Sequence, residues 1–198
     1  MISAVREDAF VERPAAARNL QTRKAVMRDI PAVLSLINGY AARGIMLPRT
    51  EFEISEAIRD FTVVTRGEEL LGCGALHFYT PTFGEIRSLA VQEKAKTQGA
   101  GRGVVEALVQ EAQMYELDAV FAFTYVVEFF SKLRFQEVER GVLPLKAWKD
   151  CVRCPKFQTC DEVAVLRVLR PQRLAEAQPQ PRPPETDQYI QIPTSRFP

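Results

Sequence analysis

The sequence predicts a mixed α/β single domain, and three observations carry that reading. Short apolar runs of strand length alternate with segments whose apolar residues recur at helical spacing. One run, DAVFAFT at 118–124, is nearly all apolar, the mark of a strand buried on both faces. The chain has 198 residues, 46% of them hydrophobic, which supplies one good core. The predicted order is β-α-α-β-β-β-α-β-α-β-β.

Each element has a local reason. TRKAVM (22–27) reads as a strand. Asp29 is placed to cap a helix with Pro31 in its first turn, where a missing N–H costs nothing. Val33, Leu34, Ile37, Tyr40 and Ala41 then mark one helix face. Gly44 ends that helix, and Pro48 blocks its continuation. A second helix fits 51–60, with Phe52, Ile54 and Ile58 as apolar contacts. Residues 61–66 and 69–79 form a hairpin about Gly67-Glu68. EIRSLAV (85–91) is the next strand, and its alternation puts Ile86, Ser88 and Ala90 opposite Glu85, Arg87, Leu89 and Val91. A Gly-rich loop (92–103) leads into a helix over about 102–116 with Val104, Val105, Leu108, Val109 and Ala112 on one face. After the strand at 118–124 come a short helix (128–135), a strand from Phe135 and a last strand at 161–169.

The ends differ in composition. Residues 1–20 read as a flexible segment, and the folded domain is expected over 21–170. Seven of the 13 prolines fall after residue 170, so 171–198 is expected to be a disordered or extended tail. Two readings of that tail stand: a dispensable end, or a polyproline partner site or strap held by Tyr189 and Ile190.

Charge and hydropathy narrow the function. With 26 Lys+Arg against 25 Asp+Glu, nothing points to nucleic acid or an anionic membrane surface. No apolar run reaches the ~18–20 residues of a membrane helix, and MISAVREDAFVERP lacks the apolar core of a secretory signal. The expected compartment is the cytoplasm, where cysteines are thiols or metal ligands.

The stretch EIRSLAVQEKAKTQGAGRGVVEALVQEA (85–112) carries the chemistry. It is strand, Gly-rich loop and amphipathic helix. Gly99, Gly101 and Gly103 permit close ligand approach, and loop amides at a helix N-terminus suit a pyrophosphate. Lys94, Lys96 and Arg102 add positive charge. A P-loop is disfavoured, because no Gly-Lys-Ser/Thr follows. A dinucleotide fold is disfavoured too, because three strands and two helices precede this loop.

The strand order, EIRSLAV, the TQGAG loop, the VVEALVQEA helix, the TY after a buried strand and FFSKLRF together resemble the GNAT superfamily of acetyl-CoA-dependent N-acetyltransferases. The resemblance covers about 22–145. Lys96-Thr97-Gln98-Gly99-Ala100-Gly101 matches the family's loop, with Lys96 where the family has Arg or Gln. More narrowly, GIMLPRT, IRDFTVV, GCGALHFY, GEIRSLAV, AFTYVVEFFSKLRF and LPLKAWKDCVRCPKFQTCDEVAV read in order like the stand-alone N-acetylglutamate synthases of bacterial arginine biosynthesis, which have no kinase domain.

The resemblance implies a GNAT fold, a sheet split between its fourth and fifth strands, and acetyl transfer to the α-amine of L-glutamate. Leu89, Ala90 and Val91 would line the split and polarise the thioester, and the diphosphate would sit on Gln98, Gly99, Ala100, Gly101, Arg102 and Gly103, beside Lys96. Glu85 matches the position of the base. Phe130 stands where relatives have a thiolate-protonating tyrosine, leaving Tyr125 as the substitute. A specific glutamate site needs cations for two carboxylates, which nominates Arg49 and Arg87, with Thr124 and Ser88 as polar contacts. His77, the only histidine, lies between Leu76 and Phe78 and reads as structural.

Cys151, Cys154 and Cys160 form a C-x2-C-x5-C cluster. It suits zinc or an iron–sulfur centre, with Cys73, His77 or a carboxylate as the fourth ligand. It equally suits a loop of reduced thiols, or a thiol switch, and no metal is assigned to the reaction. The expected partners are acetyl-CoA and a small amino acid, with a homodimer open. Two rival functions remain: acetylation of another small amine or a protein N-terminus, and a non-catalytic acyl-CoA-binding or redox-sensing module.

Overall fold

The computed structural model describes residues 20–143, 156 and 159–176. The strands are β1 (Gln21–Lys24), β2 (Phe61–Arg66), β3 (Glu69–Phe78), β4 (Phe83–Val91), β5 (Ala119–Thr124), β6 (Gln136–Glu137) and β7 (Val163–Val168). The α-helices are α1 (Ile30–Ala41), α2 (Glu51–Glu56), α3 (Ala100–Met114), α4 (Val127–Ser131) and α5 (Pro171–Glu176). The strands form one seven-stranded sheet in the order β1-β2-β3-β4-β5-β7-β6. Neighbours are antiparallel except β4 and β5, which run parallel. This is the mixed α/β sheet expected from the sequence, parallel only between β4 and β5.

Alternation along the strands builds a core on each face. Val104, Val105, Leu108, Val109 and Ala112 of α3 pack on Val64, Leu71, Leu76, Ile86, Val120, Ala122 and Val165. On the other face Val33 and Ile37 of α1 and Ile54 of α2 cover Val63, Cys73, Ala75 and Ala90. A third cluster, Tyr79, Phe121, Leu143 and Ala164, continues that second face under β5 and β7. Ala119 to Ala122 are at most 1% exposed, as expected of a strand covered on both sides. Burying each fully enclosed Leu, Ile or Val contributes about 1.5–3 kcal/mol.

Several boundaries differ from the sequence expectation for identifiable reasons. β1 stops at Lys24, and a 3-10 turn (Met27–Asp29) precedes α1. Asp29 precedes α1 without capping it. Its carboxylate instead turns back to accept from the Val26 N–H at 2.8 Å and from both Arg23 Nη atoms at 2.6 and 2.8 Å. Thr50 does cap α2, in a capping box with Glu53. The strand expected from Phe135 shrinks to Gln136–Glu137, followed by a 3-10 turn. At 171, where a tail was expected to begin, the chain forms α5, with proline at the helix start. The expectations for residues 1–19 and 177–198 lie outside the described residues.

The expected side-chain alternation of β4 breaks at Ser88. Arg87 pairs with Ala75 and Ala90 with Cys73, so Ser88 and Leu89 together face Gly74. Ser88 takes the left-handed conformation at φ 54°. The bulge shifts the register: Ile86 and Val91 join the α3 core, while Ala90 joins the α1–α2 core. No described helix is long and apolar enough to cross a membrane.

Candidate active site

Strands β4 and β5 pair over a short stretch only. Their register runs from Phe83 opposite Ala119 to Glu85 opposite Phe121. β4 continues to Val91 and β5 to Thr124, with no further pairing between them among the described residues. The bulge at Ser88 adds twist where the two strands part. The result is a wedge whose β4 side is Leu89, Ala90 and Val91. Its backbone is held from behind: Tyr40 Oη donates to the Val91 carbonyl at 2.6 Å, and Gln92 N donates to the Leu71 carbonyl at 2.8 Å. The wedge thus exposes backbone polar groups of β4 along a fixed edge.

The wedge opens toward the start of α3. A 3-10 turn (Glu93–Gln98) ends at Gly99, whose φ of 87° favours glycine, and α3 begins at Ala100. The Gly103 N–H closes the first turn onto the Gly99 carbonyl at 2.9 Å. By helix geometry the amides of Ala100, Gly101 and Arg102 have no intrahelical acceptor and sit at the positive end of the helix dipole. Such a set of amides can cradle an anion.

The neighbouring side chains are engaged with one another. Lys96 Nζ is 2.9 Å from Glu93, which raises the lysine's pKa. Arg102 Nε is 2.7 Å from Glu106, and Lys94 pairs with Glu69. Gln98 accepts from Arg66 and donates to the Lys94 carbonyl at 2.6 Å. Backbone rather than free side-chain charge therefore defines the cradle. Two of its glycines have a packing role that spacing did not reveal. A Cβ at Gly101 would lie 3.3 Å from Val91 Cγ2 and 3.4 Å from Phe129 Cζ, and one at Gly103 would lie 3.2 Å from Thr22 Oγ1. Both let α3 seat close against the sheet.

Three of the polar residues share the face covered by α1 and α2. Register places His77 opposite Glu85 and Ala75 opposite Arg87. Because Ala75 belongs to the α1–α2 core, Glu85, Arg87 and His77 share that face. Glu85 is only 9% exposed and sits where β4–β5 pairing ends. His77 Nδ1 lies 3.5 Å from Asp60 Oδ2, and its ring meets Tyr79 edge-on at 4.9 Å. The sequence flagged Glu85 and Arg87 but set His77 aside; cross-strand register is the signal that joins them.

Arg49 lies in the α1–α2 loop, which Asn38 clamps through reciprocal 2.9 Å bonds to the Arg49 N–H and carbonyl. Its guanidinium is largely buried, 3.8 Å from Glu53. Thr124 is buried, and its hydroxyl accepts from the Val126 N–H at 3.0 Å at the end of β5. Tyr125 is more exposed, with its hydroxyl 3.3 Å from Lys156 Nζ. Partial burial, followed by hydrogen bonding to Asp161, raises the phenol's pKa. Phe130 points into the α3 core, edge-on to Phe129 and Phe135.

Of the cysteine cluster, Cys160 is described and Cys151 and Cys154 lie outside the described residues. Arg140 donates to the Cys160 carbonyl and sulfur, both at 3.3 Å. Among the described residues, no three His, Cys, Asp or Glu side chains are grouped to hold a metal.

The chain is similar to known proteins. Residues 38–135 match the acetyltransferase (GNAT) family. An uncharacterized N-acetyltransferase, CT2212 of Chlorobaculum tepidum, is 40% identical over 74% of this chain and 95% of its own length. An amino-acid acetyltransferase of Mycobacterium tuberculosis is 35% identical over 66% of this chain and 75% of its own. The crystal structure of N-acetylglutamate synthase from Neisseria gonorrhoeae, complexed with coenzyme A and N-acetyl-glutamate, superposes with a TM-score of 0.70 at 26% identity, covering 76% of this chain and 35% of that one. A split sheet with an amide cradle at its mouth, together with these relatives, places the chain in the GNAT family of acetyl-CoA-dependent N-acetyltransferases.

Proposed function

We propose that the protein transfers acetyl from acetyl-CoA to the α-amine of L-glutamate, the opening reaction of arginine biosynthesis, by direct attack in a ternary complex. The observation that carries this reading is the position of Glu85. It is a buried carboxylate at the point where the wedge opens, on the face that carries Arg87 and is covered by α1 and α2. The relative named amino-acid acetyltransferase, and the synthase bound to coenzyme A and N-acetyl-glutamate, support the choice of acceptor.

In this reading the amides of Ala100, Gly101 and Arg102 hold the diphosphate. The pantetheine arm lies in the wedge along Leu89, Ala90 and Val91, whose backbone N–H groups polarise the thioester carbonyl. Arg49 and Arg87 hold the two carboxylates of glutamate, and the Thr124 hydroxyl adds a donor. Glu85 takes a proton from the ammonium through water, freeing the lone pair to attack. Tyr125 supplies a proton to the departing thiolate. Alignment of amine and thioester contributes the rest of the rate.

Isotope-labelled acetyl transfer across the twenty amino acids tests the proposal. Glutamate should be acetylated fastest, with glutamine its nearest competitor. If both are inert while a polyamine or a peptide N-terminus is turned over, the acceptor assignment is wrong. Coenzyme A binding without any turnover would favour a binding module instead.

A further inference from the structure

Acetylation of an ammonium must dispose of a proton. R–NH3+ and acetyl-S-CoA give R–NH-acetyl, HS-CoA and one H+. The N–C bond forms and the C–S bond breaks. Sulfur takes its proton from Tyr125; of the two protons nitrogen loses, one restores Tyr125 and the other leaves the site. Glu85, at 9% exposure, is poorly placed to return that proton to bulk water on its own.

Its cross-strand partner supplies a route. His77 is opposite Glu85 in the β3–β4 register, where facing Cβ atoms lie about 4.5–5.5 Å apart. The His77 side chain is 31% exposed, and its Nδ1 is 3.5 Å from Asp60 Oδ2, whose side chain is 35% exposed. His77 and Asp60 are thus both more open to solvent than Glu85. The edge of Tyr79, 4.9 Å away between ring centroids, limits rotation of the imidazole. Asp60 lies on the Nδ1 side of the ring, which leaves Nε2 as the nitrogen not facing that carboxylate. The charged or titratable groups placed beside His77 include Asp60 from the 3-10 turn before β2, Glu85 and the next-pair Arg87 from β4, and Tyr79 on its own strand.

We infer that His77, held by Asp60, is the proton exit of this site: it takes from Glu85 the proton removed from the acceptor amine and releases it to water. The inference rests on the reading of Glu85 as the base. His77 acts through Glu85 and is a positioning and relay residue, not one that touches substrate.

The test compares wild type with His77→Gln, Asp60→Asn and Glu85→Gln. Steady-state rates are measured between about pH 6 and 9, with and without added imidazole, alongside acetyl-CoA titration calorimetry and thermal melts. His77→Gln should keep both KM values and acetyl-CoA affinity within about twofold. Its kcat should fall about 10²-fold or more, the acid limb of its pH profile should be altered, and free imidazole should restore turnover. Asp60→Asn should show a smaller loss in the same direction. An unchanged kcat and pH profile in His77→Gln overturns the inference. So does a loss that imidazole cannot restore in a variant that still binds acetyl-CoA. Full activity in Glu85→Gln overturns the base assignment, and the exit with it. An inactive Glu85→Gln beside a fully active His77→Gln overturns the exit alone.

Discussion

Replacing Gly101 by Asp sets a negative charge against the anion cradle at the start of α3. A carboxylate about 6 Å from a phosphate is repelled by roughly 3 kcal/mol per unit charge at an effective dielectric of about 20, and by about 0.7 kcal/mol in a water-like medium. Those bounds correspond to an affinity loss of about 3-fold to 100-fold. The steric part is separable. A Cβ at this position meets Val91 Cγ2 at 3.3 Å and Phe129 Cζ at 3.4 Å, so Gly101→Ala needs shifts of only a few tenths of an ångström. The higher helix propensity of alanine, about 1 kcal/mol, offsets that strain. Aspartate in a first helical turn favours the helix by about 0.3–1 kcal/mol, and a thermal melt checks that this buried position accepts the larger side chain. Calorimetric titration with acetyl-CoA should show Gly101→Ala within about threefold of wild type. Gly101→Asp should bind more weakly, with a deficit that shrinks as salt is added. Wild-type affinity in Gly101→Asp, or an equal loss in Gly101→Ala, would refute the electrostatic argument.

Other substitutions probe separate parts of the structure. Arg49→Ala should raise the KM for glutamate about tenfold or more and leave that for acetyl-CoA nearly unchanged; equal effects on both would remove Arg49 from the acceptor site. Asp29→Ala should cost about 1–3 kcal/mol in denaturant melts at neutral pH, because it strands the Val26 N–H and Arg23. The Arg23 hydrogen bonds hold the Asp29 carboxyl below its ordinary value. Its contribution is therefore present above the ordinary carboxylate range, about pH 4, and lost as pH falls through the lowered value, so wild type and variant should converge in stability as the solution is acidified. Burial pushes the Cys73 thiol up to about 12, so it should resist alkylation at pH 8 in the native protein and react once the chain is unfolded, as read by peptide mass mapping.

Periodicity was a good guide wherever one face of an element is buried. The apolar spacing of α3 names the residues that pack beneath it, and the all-apolar β5 is covered on both sides. Local chemistry was readable as well: Pro31 in the first turn of α1, and the Gly-rich loop ahead of a helix. Where a side chain had a choice of partners, prediction failed. Asp29 has the chemistry of a cap, yet Arg23 and the Val26 N–H hold it instead. Lys96 and Arg102 were expected to add charge to the cradle, yet each has a nearby glutamate. Strict alternation in β4 failed because a bulge is a property of two strands, visible only when Ser88 and Leu89 are set against the single residue Gly74.

The order of elements, the apolar faces and the cradle loop follow from residues close together in the chain, because hydrogen-bonding periods and helix termini are local. The meeting of Glu85 with His77, and the parting of β4 from β5 after Glu85, depend on register between segments that no short window contains. Burial then turned an ordinary carboxylate and a histidine set aside as structural into neighbours at the head of the wedge. Proximity across a sheet is fixed by how whole strands align, and that alignment is settled by the core they share.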